Sequence, residues 1–457
     1  MSSTDGLPGT GADPVAPVTA RRLLAHLAQA QSRGRLPSVV AGVLRDGELA
    51  WWGAYGAAAV PRHDPLDVQY RIGSITKTLT AVVVLQLVRE GQLELDEPAA
   101  TWLGDAPYAE RSIRSLLAHS SGMRSEPVGS WWERSAGMSW EELTEAHEGA
   151  ADVFPSLDRF HYSNLGYALL GEVAARACGS AWWECVEQRV LRPLGMDRTT
   201  YSPEGAAARG HSVHPYARTL TEEPATDTGA MAPAGQAWST LRDLATYADF
   251  LQHGNPDVLS LDELLAASHP QSGDRDDALG SAHGLGFQLQ AGGSGMLVGH
   301  TGSMPGFLAG CFVDRPRRTG AVVLTNATTG LAPADLAVEL LEELERSEPA
   351  VVPPWRPTTS VPDELAEVLG VWHWGNTPFV FALDAGELVA TRDGVVKYRF
   401  RVVDGRVVGT SGYHAGEELH VVRRADGSVS HLDVATFVYT RTPYEPEAPV
   451  PGGHPGR

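Results

Sequence analysis

Lysine is almost missing from this chain. Of its 36 basic residues only Lys77 and Lys397 are lysines, and the rest are arginines. Positive charge is scarce as well: 56 acidic residues leave a formal net charge of −20. Such a surface does not concentrate nucleic acid or an anionic membrane, so neither is expected as a partner. There are three cysteines, Cys178, Cys185 and Cys311, too few and too irregularly spaced for a disulfide framework or a thiolate metal site. They are expected to be reduced and to pack as small apolar residues. The sixteen histidines form no His-x-x-x-His or His-Glu-x-x-His pattern. No glycine-rich phosphate loop follows a strand, and no internal repeat is visible. The sequence therefore implies no cofactor and no metal. No apolar run is long enough to span a bilayer. The first residues, Met1-Ser2-Ser3-Thr4-Asp5, lack the basic start and apolar core of a secretory signal. These readings together expect a soluble, cytoplasmic protein.

Against that scarcity, the position of Lys77 is pointed. Ser74-Ile75-Thr76-Lys77 opens the apolar run Thr78 to Val88, which Arg89-Glu90-Gly91 closes. A helix so apolar is buried on all sides. A hydroxyl and an amine three residues apart share one helix face. Burial and the positive end of the helix dipole both disfavour an ammonium, so Lys77 can serve as a neutral base beside Ser74. That is the description of an activated nucleophile. The bland alternative is that Ser74 merely caps the helix.

Two further motifs bear on the choice. Tyr162-Ser163-Asn164 precedes an amphipathic run, Leu165 to Cys178, stopped by Gly179. In an extended segment Tyr162 and Asn164 point the same way, toward one cleft. A phenol beside cations can ionise and shuttle protons, and an amide can orient Lys77 or a substrate. Alternatively Asn164 caps the following helix and Tyr162 packs. His300-Thr301-Gly302 ends a strand and runs into Ser303. Glycine there permits close backbone approach, and the Ser303 N–H would be a second oxyanion donor beside that of Ser74.

Ser74-x-x-Lys77, Tyr162-x-Asn164 and His300-Thr301-Gly302, in that order, resemble the serine β-lactamase and penicillin-binding protein superfamily on its class C-like branch. Leu116-Leu117-Ala118-His119-Ser120-Ser121-Gly122-Met123, Leu191-Arg192-Pro193-Leu194-Gly195-Met196 and Trp238-Ser239-Thr240-Leu241-Arg242-Asp243-Leu244 are similar to that branch too. The resemblance implies acyl transfer through an ester on Ser74. Lys77 would be the base, Tyr162 would help acylation and deacylation, and Asn164 would hold Lys77 and contact substrate. Thr301 would line the cleft, with Gly302 and Ser303 beside it. His119 would buttress the site without reacting. His300 departs from the lysine usual at its place in β-lactamases. A partly charged histidine holds a carboxylate less firmly, which favours an ester, amide or D-peptide substrate over penicillins. A peptide-cyclising thioesterase and a β-lactamase are the alternatives within this chemistry. A non-catalytic binding protein with a retained cleft is the alternative outside it.

The remaining pattern gives an architecture. Residues 1–16 are rich in Gly, Pro, Ser and Thr and are expected to be disordered. A helix over Thr19 to Arg33 precedes a hairpin, Val39 to Leu44 and Glu48 to Tyr55, turning at Asp46-Gly47. Gly284 to Gln290, Leu297 to Gly302, Phe307 to Asp314 and Ala321 to Asn326 read as a meander, and Ala332 to Arg346 as a closing helix. The fold class expected for residues 17–347 is α+β: an antiparallel sheet flanked by helices, plus an all-helical subdomain. A proline-rich linker spans 348–362. Residues 363–442 carry about eight short β runs at ~8–12-residue spacing, which indicate a small all-β barrel. The resemblance suggests a lipocalin-like one. Trp372, Trp374 and Tyr398 are candidates for a barrel pocket or for its core. Residues 443–457 are expected to form an extended tail.

Overall fold

The computed structural model describes residues 14–57, 59–273, 280–292, 295–351, 354–355, 357 and 360–443. The chain divides into two compact units, Met1–Ala350 and Val351–Arg457. Most of the expected N-terminal segment and tail, and part of the expected linker, lie outside the described residues.

In the first unit an eight-stranded sheet forms from β1 (Ser38–Arg45), β2 (Glu48–Gly56), β3 (Ser272–Gly273), β4 (Ser281–His283), β5 (Gln288–Gly292), β6 (Gly295–Met304), β7 (Phe307–Asp314) and β8 (Thr319–Thr325). Their order is β2-β1-β8-β7-β6-β5-β4-β3, and the pairs are antiparallel. Strand periodicity divides the interior. Ala321 and Val323 of β8 join Leu23, Leu27, Leu336 and Leu340 on one face. Val322 and Leu324 join Leu244 and the helical half on the other. Hence α1 (Pro17–Gly34) and α5 (Pro333–Ser347) cover the first face. The second carries α4 (Leu241–His253), and beyond it lie α2 (Thr76–Arg89) and α3 (Asn164–Cys178). Asp46 and Gly47 both take positive φ, 51° and 84°, in the turn expected for the β1–β2 hairpin.

One expected strand is corrected. Gly284 to Gln290 is not continuous: β4 ends at His283, Gly286 turns at φ 91°, and β5 starts at Gln288. The left-handed glycine breaks the run, and residues 284–287 fold back so that Gly286 N–H reaches Leu117 O.

The second unit is a closed eight-stranded barrel running from Gly370–Trp374 to Phe437–Thr440. A short helix, Asp363–Ala366, precedes its first strand. Paired positive φ values at Ala385-Gly386, Asp393-Gly394 and Asp404-Gly405 form three of its hairpin turns. Trp372 is fully buried and its Nε1 donates to Val368 O, so it is core; Trp374 is exposed. Among the described residues no helix is long and apolar enough to cross a membrane.

Candidate active site

Ser74 occupies a 3-10 turn, Gly73–Ile75, that leads directly into α2. It is not a cap: its hydroxyl is the partner of Lys77 Nζ at 3.0 Å. The entering segment is pinned by antiparallel pairing of Tyr70–Arg71 with Trp238–Ser239. Lys77, one turn on, is fully buried. Its Nζ donates to Asn164 Oδ1 at 2.6 Å and to Ala234 O at 2.7 Å. A neutral amine has two hydrogens and one lone pair. The two oxygens take the hydrogens, which leaves the lone pair for the Ser74 hydroxyl. Desolvation pushes the Lys77 amine down to about 7, against the upward pull of Glu126 and Glu133. Relative to an exposed lysine this disfavours the ammonium by roughly 5 kcal/mol.

Asn164 is free to hold Lys77 because Ser163 caps α3 instead, its Oγ accepting from Gly166 N–H. Asn164 Nδ2 in turn donates to Glu126 Oε1 at 2.6 Å, and Trp132 Nε1 donates to Glu126 Oε2 at 2.7 Å. A single hydrogen-bonded line therefore runs Ser74–Lys77–Asn164–Glu126–Trp132. Tyr162 lies beside Ser74, and its ring centroid is 5.0 Å from Lys77 Nζ. The phenol does not ionise as the sequence suggested. Burial raises it well above its ordinary value, outweighing the opposing pull of Ser74, so it stays a neutral O–H able to relay a proton.

The strand β6 brings in the third motif. A Cβ at Gly302 would meet Ile72 O at 1.8 Å and Ser74 N at 3.1 Å, and one at Gly73, with φ 54°, would meet Ser303 N at 2.5 Å. Only glycine at both positions lets the strand lie against the Ser74 turn. Ser303 is thereby set against the turn that carries Ser74. Thr301 is held by Gln288, whose Oε1 accepts from both its N–H and its Oγ1 at 3.1 Å. His300 is buried, with Nδ1 against Thr301 O at 2.5 Å. Its expected partial charge is corrected: desolvation first, then His283 and Lys77, push it down to about 3, so the ring is neutral at ordinary pH.

These residues line one cleft of about 530 Å³. Ser74, Tyr162, Asn164, His300, Thr301, Gly302 and Ser303 all face it. So do four residues that sequence reasoning missed: Glu126, Glu133, Gln288 and His283. The loop containing both glutamates also carries Trp131 and Trp132. Trp132 is buried and Trp131 lies outward under Arg134, so the loop presents carboxyls to the cleft rather than indoles. Burial, reinforced by Glu126, holds the Glu133 carboxyl above its usual range. Among the described residues lining the cleft there is no arginine or lysine. His119, His283 and His300 bring ring nitrogens within 4.8 Å of one another, the one group of described residues able to surround an ion.

A family model described as Beta-lactamase matches residues 20–344, and a second, described as a domain of unknown function, matches residues 361–441. The chain is 31% identical over 226 residues to Esterase EstB of Burkholderia gladioli, covering 43% of this chain and 56% of that protein. It is 28% identical to Beta-lactamase-like protein 2 of Dictyostelium discoideum, covering 62% of this chain and 55% of that one. The chain thus spans just over half the length of these two relatives. It is 26% identical to the D-alanyl-D-alanine-carboxypeptidase/endopeptidase AmpH of Escherichia coli (strain K12), covering 63% and 79% respectively. Among solved structures it superimposes on a D-stereospecific amidohydrolase from Streptomyces sp. with a TM-score of 0.59 at 26% identity, covering 70% of this chain and 97% of the other.

Proposed function

The chain belongs to the beta-lactamase family of serine hydrolases, and on that premise we propose that it cleaves small esters, amides or D-peptides through an ester on Ser74. The observation that carries this reading is the set of three oxygens around Lys77 Nζ, those of Asn164, Ala234 and Ser74: a neutral amine that gives its two hydrogens to the first two turns its lone pair to the Ser74 hydroxyl. Lys77 takes the Ser74 proton as Oγ attacks the carbonyl carbon. The Ser74 and Ser303 amides receive the oxyanion. Tyr162 passes the proton on to the leaving group, and Asn164 keeps Lys77 in place. Thr301 and Gly302 form the cleft wall along which the substrate lies.

Charge narrows the substrate. A neutral His300, with no arginine or lysine among the described residues of the cleft wall, gives a substrate carboxylate no fixed partner there, which argues against penicillins. Glu126 and Glu133 instead favour a substrate that carries an amine close to the scissile carbonyl. Amides and esters of amino acids with a free amino group have that shape. The name of the Streptomyces relative, a D-stereospecific amidohydrolase, points the same way and adds the D configuration.

The test is a panel of D- and L-aminoacyl amides, their N-acetylated counterparts, a neutral short-chain ester and a chromogenic cephalosporin, run on wild type and Ser74→Ala. The reading expects free-amine substrates to lead, Ser74→Ala to be inert, and a fluorophosphonate adduct to map to Ser74. Cephalosporin turnover well above that of every amide and ester would overturn the substrate assignment. An adduct on any other residue would overturn the nucleophile.

A further inference from the structure

Beside the cleft three buried histidines face one another. One ring nitrogen from each lies within 4.8 Å of the others. The His283 ring stands edge-on to both partners, its centroid 5.2 Å from that of His119 and 6.0 Å from that of His300. His119 is held at φ 53°, a left-handed conformation rare outside glycine, with its ring stacked on Tyr162 at 4.1 Å.

Neighbours fix where the proton sits on two of the rings. Ser163 N–H donates to His119 Nδ1 at 3.1 Å, so the hydrogen of the neutral ring is on Nε2. That Nε2 is buried and has no partner. His300 has the opposite tautomer: Thr301 O can only accept, so Nδ1 carries the hydrogen and Nε2 keeps its lone pair. His283 Nε2 is again buried without a partner. Burial is the first cause holding all three rings below their ordinary values, so all are neutral.

The occupant follows from this donor set. A metal needs a lone pair from every ligand, and His119 offers an N–H. Zinc also wants nitrogens about 2.0–2.1 Å away, hence only about 3.4 Å from each other. A triangle with sides of up to 4.8 Å has its centre up to about 2.8 Å from each corner, which is a hydrogen-bond length. Water meets both conditions: it accepts from His119 Nε2–H, shares one hydrogen between His300 and His283, and keeps its other hydrogen for transfer.

We propose that His119, His283 and His300 hold the water that hydrolyses the Ser74 ester. This inference rests on the function proposed above and deepens it by naming the acyl acceptor as water, which excludes an internal amine as in peptide cyclisation. The water oxygen bonds to the acyl carbon while the bond from that carbon to Ser74 Oγ breaks. A water proton passes to the Tyr162 oxygen as the Tyr162 hydrogen passes to the neighbouring Ser74 Oγ. The acid leaves with the second water hydrogen and sheds it to solvent. His283 is here a positioning residue: it orients the water and takes no proton.

The experiment is stopped-flow turnover of p-nitrophenyl acetate by the full chain. Wild type should acetylate Ser74. His283→Leu should still release a burst of p-nitrophenol equivalent to its Ser74 content. Its steady-state rate should then drop at least about tenfold as the acetyl adduct accumulates, the scale of losing one orienting hydrogen bond. Hydroxylamine, a nucleophile that does not need the histidines, should restore turnover. His283→Gln, which keeps an acceptor, should deacylate within about threefold of wild type. Unchanged deacylation in His283→Leu would overturn the proposal, as would equal loss of burst and steady-state rates. Failure of the wild type to acetylate Ser74 would instead fall on the proposed function. Titration of wild type with zinc chloride gives a reading that needs no variant. Absence of tight uptake supports water, and stoichiometric zinc binding abolished by His119→Ala would overturn it.

Discussion

The two units of this chain put their interiors to different uses. The barrel is filled with Trp372, Phe379, Phe381, Phe400, Leu419 and Leu432, and its aromatic rings stack on one another, as Phe379 does on Tyr398 at 5.8 Å. The first unit has a larger apolar core, yet it buries an amine, an amide and three imidazoles around one cleft. A barrel core of this kind is held by area removed from water. The candidate site gives up some of that stabilisation to hold the Lys77 amine well below its ordinary value next to Ser74. Dry surroundings serve packing in the one and basicity in the other.

Lys77→Arg is the largest expected break in that contrast. A guanidinium cannot be deprotonated at this depth, so acylation of Ser74 should fall by at least about a hundredfold. Circular dichroism should stay close to wild type. Next is Asn164→Leu, which strips one acceptor from Lys77 and one donor from Glu126. Losses of this kind are worth about 1–3 kcal/mol, so kcat/KM should fall by roughly ten- to a hundredfold.

The barrel should respond only in stability. A Cβ at Gly409 would meet His414 O at 1.8 Å, and Gly409→Ala should cost about 1–3 kcal/mol of barrel stability by overpacking. Faster hydrogen exchange in peptides covering Arg406–Arg423 would register it. The smallest effect is expected at Glu133→Gln. KM for a free-amine amide should rise by about twofold to fivefold while that for a neutral ester stays put, since a part-exposed ion pair is screened. Equal shifts for both substrates would remove Glu133 from amine recognition.

The same contrast explains what the sequence discloses. The eight barrel strands are legible because alternation, strand length and Asp-Gly or Ala-Gly turns all agree. The hairpin at Asp46-Gly47 is legible for the same reason. The catalytic motifs are visible for another: an amine at the head of an apolar helix breaks the binary pattern. Glu126, Glu133 and His283 escape because nothing local marks them. Two glutamates in a polar loop look solvated, and His283 acquires meaning only when Gly286 turns the chain and brings β4 beside His119. Gln288 alternates as any strand residue would. The ionisation expected of Tyr162 and the charge expected of His300 fail alike, because burial outweighs neighbouring groups and burial is a tertiary quantity.

The central claim is that Lys77 acts as an uncharged base. The direct measurement is the pH dependence of the acylation rate, followed by single-turnover release from an activated ester. Lys77 must lose its proton to accept one from Ser74. The rate should therefore be low below the amine's pKa, rise through a midpoint near pH 7, and level off above it. Lys77→Arg should abolish that rise. A wild-type profile still climbing toward an ordinary lysine value near 10.5 would mean that Lys77 keeps its proton at neutral pH, and would contradict the account.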